Sequence, residues 1–347
     1  MNIDKKILLT VAIPTFNRAS ELEKTIIQLS KERGEPFYIL VSDNNSTDNT
    51  GAVVKKYQKL MSNLIYNKNK LNLGYSGNVC RLYELSQTRY IWFLCDDDTV
   101  LSGVICKIIR TIEKYKPSAA IFNCTWIDPY GRKLFAGVNH DVLYESIEKL
   151  TDYSVVLRAG FLSILVIEKR ISIAKLKKTN YRDNVFFQIS LLLLVLSNKF
   201  KLYEIATTVV HRNVGFKYGE FYKSCLVDLL QSIHIGNHNF KIRKFIDLKK
   251  KMILMELQLY LSQKLGLFRY EGRITSKTKR LMFKYYGFFH GLILMSFPVI
   301  KLIIPTGVIK LLFMIKLISI HGYKNSGAVY QSNINRAFKD ERETGFI

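Results

Sequence analysis

Tyr90-Ile91-Trp92-Phe93-Leu94-Cys95 runs without a charge straight into Asp96-Asp97-Asp98. The apolar stretch, rich in aromatics, reads as a short interior strand. Three carboxylates at its end repel one another and lose solvation unless a cation holds them. In open α/β sheets, ligands collect just beyond the carboxyl ends of the strands. An acidic cluster there is a natural seat for a divalent metal and a phosphorylated ligand. An isolated acidic triplet is more simply a solvated turn, but the pattern around this one argues otherwise.

From residue 7 onward, strand-like and helix-like patterns alternate. Ile7 to Ile13 reads as a strand halted by Pro14, and Asn17 and Ser20 are helix-start candidates before an amphipathic segment reaching about Lys31. Phe37 to Val41 is a second strand, Thr50 to Met61 a helix, and Leu64 to Tyr66 a short strand. Leu73 to Leu85 holds a loop and then a helix. Beyond the acids come a helix over Leu101–Tyr115 and a strand over Ala119–Trp126. A buried helix over Asn184–Leu196 and a closing strand over Leu202–Val210 follow. Such alternation predicts an α/β fold: a mostly parallel sheet covered by helices on both faces.

The remainder differs in character. Residues 1–215 read as one catalytic domain, and residues 216–347 as a basic, apolar helical extension. Lys241-Ile242-Arg243-Lys244, Lys249-Lys250-Lys251 and Lys277-Thr278-Lys279-Arg280 punctuate it. Tyr285 to Ile300 is uncharged, yet Pro298 interrupts it and it falls short of the roughly 20 residues a membrane span needs. The extension therefore reads as shallowly inserted or surface-lying helices on an anionic membrane, or as an apolar subdomain packed on the core or on a second copy of the chain. The formal charge of +24 fits attraction to anionic lipid, phosphorylated substrate or nucleic acid. Five cysteines without metal-ligand spacing suggest reduced core thiols. No cleavable leader is evident near the first residue, which predicts a cytosolic site of action.

Three loops are expected at the carboxyl edge: Pro14-Thr15-Phe16-Asn17-Arg18, Asp43 to Asp48, and Asp96 to Asp98. Asp43, an acceptor only when ionised, suits a base or ribose. Asp96 and Asp98 suit a divalent cation that neutralises a diphosphate leaving group. His211, followed by Arg212 after the closing strand, offers a third metal ligand.

Taken together, Val11-Ala12-Ile13-Pro14-Thr15-Phe16-Asn17-Arg18, Val41-Ser42-Asp43-Asn44-Asn45-Ser46-Thr47-Asp48 and Asp96-Asp97-Asp98 resemble glycosyltransferase family 2, of GT-A fold. Leu71-Asn72-Leu73-Gly74-Tyr75-Ser76-Gly77-Asn78 resembles that family's nucleotide-side loop. The likeness covers roughly residues 7 to 215 and is nearest to bacterial sugar transferases of O-antigen and capsule assembly, including abequosyltransferase-like members. It implies a Rossmann-like catalytic domain that takes a nucleoside-diphosphate sugar with Mn²⁺ or Mg²⁺. Carried over, Pro14, Thr15, Asn17, Arg18, Asp43, Asn45, Asn72, Asn78, Asp96 and Asp97 would hold the nucleotide, and Asp98 with Asp96 the metal.

The resemblance also implies inversion at the anomeric carbon, which needs a carboxylate base within reach of the acceptor hydroxyl. The family places this acid at the start of a helix beyond the metal motif, a position Asp183 fills here. Helix capping is its simpler role, and the two are compatible. Arg182 stands where the family usually has an acid, and Asp128, in a turn-like Asp-Pro-Tyr-Gly, is the competing base. The Gln-x-x-Arg-Trp motif of processive synthases is absent, which points to single-sugar addition. The implied acceptor is a saccharide carried on a polyprenyl diphosphate, at the cytoplasmic face of the inner membrane.

Two other classes compete. A nucleotidyltransferase on a related sheet calls for a Gly-rich basic loop after the first strand, where this chain has Pro14-Thr15-Phe16-Asn17. A nucleic-acid-binding protein would explain the charge, but not an acidic triplet aimed at the ligand edge, so no nucleic acid is expected.

Overall fold

The computed structural model describes residues 7–127, 133–146, 158–172 and 184–213, with the single positions 149 and 155. Asp128, Asp183 and the basic extension lie outside the described residues.

The chain opens with β1 (Leu9–Thr15), α1 (Ala19–Ser30), β2 (Tyr38–Asp43), α2 (Thr50–Gln58), β3 (Leu64–Lys68), α3 (Gly74–Leu85) and β4 (Tyr90–Phe93). The short β5 (Thr99–Val100) and α4 (Val104–Tyr115) follow the acidic triplet. Then come β6 (Ala119–Ile127), β7 (Lys133–Ala136), β8 (Val142–Tyr144), β9 (Leu165–Glu168), α5 (Phe187–Asn198) and β10 (Leu202–Asn213).

One sheet runs in the order β3-β2-β1-β4-β9-β6-β10-β5, with β7 paired to β6 and β8 to β10. The β3-β2-β1-β4 half is parallel throughout, as crossover helices require. In the other half, β9 is antiparallel to both β4 and β6, while β10 returns parallel to β6. The expected α/β fold with a mostly parallel sheet is present: β9 is reversed within the sheet, and the short strands β5, β7 and β8 also run antiparallel to their neighbours.

Interior strands of such a sheet are covered on both faces, so they need continuous apolar runs rather than alternation. Every residue of β1 and of β4 is buried. The run Phe187–Leu196 of α5 is buried all round, as a helix without a polar face must be. By contrast α4 buries one stripe, Val104, Ile105, Ile108, Ile109 and Ile112. Its first-turn amides are capped from α1, where the Glu32 carboxylate just past that helix accepts from Gly103 N–H at 2.9 Å and Ile105 N–H at 3.1 Å.

Pro14 does not halt the first strand. It lies inside β1 opposite Ser42, but the β4 ladder has already ended at the Ala12–Phe93 pair. Its missing N–H therefore removes no sheet bond on that side. The second strand likewise runs past Val41 to Asp43, which puts that carboxylate at the very end of β2. Cys80, Cys95, Cys106 and Cys124 are free thiols. Among the described residues, no helix is long and apolar enough to cross a membrane.

Candidate active site

The ends of β1 and β2 are joined by reciprocal bonds. Asn17 and Asn45 both adopt left-handed backbone, at φ 53° and 68°, a conformation asparagine tolerates better than most residues. In that pose Asn17 N–H donates to Ser46 Oγ at 2.8 Å, and Asn17 Oδ1 accepts from Thr47 N–H at 2.8 Å. Asp48 completes the joint. Its carboxylate accepts from Ala19 N–H at 3.1 Å and from Thr50 N–H at 3.0 Å, the first residues of α1 and α2. The α1 amide is thus satisfied from a neighbouring loop, not by Asn17 or Ser20.

Asp43 is fully buried, with both oxygens engaged: Oδ1 accepts from Ser46 N–H at 2.8 Å and Oδ2 from the Tyr66 hydroxyl at 2.7 Å. Burial first, and then the bond to Asp43, push the Tyr66 phenol well above its ordinary value, so it stays a donor.

Beside it lies a ladder of amides. Asn44 Nδ2 donates to Asn72 Oδ1 at 2.7 Å, while its Oδ1 accepts from Leu73 N–H at 2.8 Å and from Asn69 Nδ2 at 3.2 Å. Asn78 Oδ1 accepts from Ser42 Oγ at 2.7 Å and Asn69 Nδ2 at 3.0 Å, and its Nδ2 donates to the Ser42 carbonyl at 2.8 Å. This network fastens the loop before α3 to the end of β2. Asn72 and Asn78 thus reach the same edge as Asp43, but Asn78 is 2% exposed and spends its amide on the protein.

The acidic triplet is held from β1 and α1. Thr15 Oγ1 donates to Asp96 Oδ2 at 2.7 Å, and Thr25 Oγ1 to the Asp96 carbonyl at 2.9 Å. Arg18 bridges two acids, with Nε 3.2 Å from Asp96 Oδ1 and Nη2 2.8 Å from Asp97 Oδ2. Burial pushes the Asp96 carboxyl up to about 7, against the opposing pull of Arg18 and Thr15. Asp98 is buried, and one ligand atom each from Cys95, Asp97 and Asp98 lie within 4.8 Å of one another. Burial holds the Cys95 thiol far above its ordinary value, hence protonated. The set therefore offers two hard carboxylate oxygens, which fits Mn²⁺ or Mg²⁺ better than a thiophilic ion. Asp96, expected as a metal ligand, already accepts from Thr15 and is ion-paired with Arg18.

His211 arrives from the far strand. β10 shifts register between Ile205 and Val210, and the irregular strand then sets His211 opposite Thr99, the residue after Asp98. At the other side, Ser76 in the first turn of α3 donates its hydroxyl to the Asn184 carbonyl. Asn184, the residue following Asp183, is thus tied to the start of α3. Tyr66 and Asn69 belong to this constellation too, although no motif marks them, as do Ser46 and Cys95, which lie in segments read from the sequence but carry no assigned role there.

The sequence and the fold have counterparts. Residues 10–165 match the sequence model of Glycosyl transferase family 2. Over 103 residues the chain is 35% identical to the GalNAc(5)-diNAcBac-PP-undecaprenol beta-1,3-glucosyltransferase of Campylobacter jejuni, covering 29% of this chain and 33% of that protein. It is 29% identical over 96 residues to abequosyltransferase RfbV of Salmonella typhimurium, covering 27% and 29% of the two chains. The alignments thus span about a third of each curated relative. Among solved structures, S. aureus TarS 1-349 in complex with UDP superposes with a TM-score of 0.54 at 16% identity, covering 70% of both chains. That likeness establishes a GT-A-like fold.

Proposed function

Since residues 10–165 form a family 2 glycosyltransferase domain, we propose that this chain transfers one sugar from a nucleoside-diphosphate sugar to a hydroxyl of a saccharide acceptor, with inversion at the anomeric carbon. The observation that carries the reading is the convergence of four loops at one sheet edge. The ends of β1 and β2 are bonded to each other, the Asn72 loop is bonded to Asn44, and the triplet is bonded to Thr15 and Arg18.

The roles follow from these positions. Tyr66 and Ser46 fix the Asp43 carboxylate, so the end of β2 is a rigid wall for the base and ribose. Pro14, Thr15, Asn17, Asn45 and Asn72 would supply further nucleotide contacts from the neighbouring loops. Asp97 and Asp98 would hold Mn²⁺ or Mg²⁺, with His211 nearby; the bound ion would neutralise the departing diphosphate. Asp183 takes the acceptor's proton. Its neighbour Asn184 is anchored to the first turn of α3.

The C. jejuni relative is named for a lipid-linked saccharide on undecaprenol diphosphate, and an acceptor of that class suits a chain of net charge +24. We place the enzyme peripherally at the cytoplasmic face of the inner membrane, in cell-surface polysaccharide synthesis. Its basic residues 216–347 would contact anionic lipid or a second copy of the chain.

The test pairs UDP-, GDP-, CDP- and dTDP-sugars with polyprenyl-diphosphate-linked saccharides, reading product by mass and anomeric configuration by NMR. One donor should yield a singly extended, inverted product. Asp183→Asn should lower kcat by about 10²–10⁴-fold while donor binding persists. Retained configuration, or undiminished turnover in Asp183→Asn, would overturn the mechanism and, in the second case, direct attention to Asp128.

A further inference from the structure

Asp97 is claimed twice. Its Oδ2 lies 2.8 Å from Arg18 Nη2, and one of its oxygens belongs to the cluster it forms with Cys95 and Asp98. The Arg18 side chain is 42% exposed and that of Asp97 40% exposed, so both have room to move. The Arg18 backbone does not share that freedom, because its carbonyl accepts from Leu22 N–H at 3.0 Å in the first turn of α1. Only the guanidinium can swing. Asp96 is differently placed: it is buried, and Thr15 holds it whatever Arg18 does.

We propose that Arg18 is a resident counter-charge at the acidic edge, holding Asp97 when no divalent cation is present and opposing the cation that replaces it. The proposal rests on the reading of Asp97 and Asp98 as the metal seat. A guanidinium is always protonated, so its charge cannot be shed when a cation arrives. If Asp97 keeps the bond, a single and a double positive charge stand within about 6 Å. In water-like surroundings Coulomb repulsion at that range weakens cation binding by about tenfold, and physiological salt reduces this to roughly three- to fivefold. If Asp97 lets go, the ion pair is lost instead. Either way, Arg18 lowers affinity for the bare cation. A freed guanidinium also presents a planar fork toward the phosphates.

A merely bracing arginine has the opposite signature. Removing a brace lets Asp97 wander and loosens the cation, whereas removing a competitor tightens it. The readout is free Mn²⁺, followed by electron paramagnetic resonance during titration of the full chain without nucleotide. Wild type, Arg18→Gln and Arg18→Lys are compared, with Asp98→Asn marking the signal that belongs to this seat. Urea unfolding confirms that each variant is folded.

Arg18→Gln should bind Mn²⁺ about three- to tenfold more tightly than wild type, with the gap narrowing as salt rises. Arg18→Lys keeps the charge and should stay near wild type. Equal or weaker binding in a folded Arg18→Gln would overturn the proposal while leaving the metal seat intact. Absence of Asp98-dependent binding in both wild type and Arg18→Gln would overturn the seat and the proposal together.

Discussion

Asn78 offers a sharp test of how the start of α3 is fastened to β2, because the family resemblance assigns it to the ligand while the structure spends it on the protein. Its carboxamide makes three bonds, to Ser42 Oγ, Asn69 Nδ2 and the Ser42 carbonyl, at 2.7, 3.0 and 2.8 Å. Asn78→Ala strands these groups beside a void. A buried polar group left unsatisfied costs about 1–3 kcal/mol. One of the three has a substitute, since Asn69 Nδ2 also reaches Asn44 Oδ1, whereas the Ser42 hydroxyl keeps only a donor, Asn67 Nδ2 at 3.5 Å, and loses its acceptor. The net loss should then be about 2–4 kcal/mol. For a domain of this size that lowers Tm by about 5–12 °C. Asn78→Asp keeps the acceptor but turns a carboxylate oxygen toward the Ser42 carbonyl, so it should destabilise at least as much. Thermal unfolding by circular dichroism, without ligand, reads both. A Tm within about 1 °C of wild type in Asn78→Ala would refute the reasoning and return Asn78 to the ligand.

Three further outcomes are expected. Asp48 feels burial first, but the bonds from Thr50 and Ala19 outweigh it, so its folded value lies below the ordinary 3.8. Its stabilisation is therefore complete above that value and lost as pH falls through the lower folded one; Asp48→Asn should flatten the acid limb of a Tm-against-pH curve, and an unchanged limb would contradict the capping role. Gly103 precedes α4 at φ 74° with open space around its Cα, so Gly103→Ala should cost about 1 kcal/mol by backbone strain alone, read as a shifted urea midpoint with unchanged m. Thr15→Val removes the donor to Asp96 Oδ2 from a buried carboxylate, and should lower stability by about 1–3 kcal/mol at pH 8, measured by urea unfolding; no change would mean that Thr15 does not hold Asp96.

The parallel half of the sheet was legible because its strands are unbroken apolar runs, each ending in a polar cluster at a ligand edge. Tyr90–Phe93 before Asp96 and Tyr38–Asp43 before Asn44 show the same design. The reversed strand β9 was not legible. Leu162–Glu168 is apolar enough for a strand in either direction, and direction is decided by its partners Tyr90–Trp92 and Ala119–Ile121. The short strands β5, β7 and β8 escaped for a related reason, since two to four residues carry too little periodicity. At the site, residue types and loop positions could be read, but not their partners. Nothing in Val41–Asp48 announces that Tyr66 closes Asp43 or that Asn69 bridges Asn44 and Asn78, because these bonds join residues far apart in the chain.

The central claim, a metal-assisted nucleotide-sugar site at the carboxyl edge, meets its most direct test in ligand-induced thermal stabilisation. UDP, GDP, CDP and dTDP would each be added with and without Mn²⁺ to wild type and Asp98→Ala. The account predicts that one nucleotide raises Tm in wild type with Mn²⁺ and that the gain disappears in Asp98→Ala. No metal-dependent gain with any of the four would contradict it, and would leave Asp96-Asp97-Asp98 as a turn braced by Arg18 and Thr15.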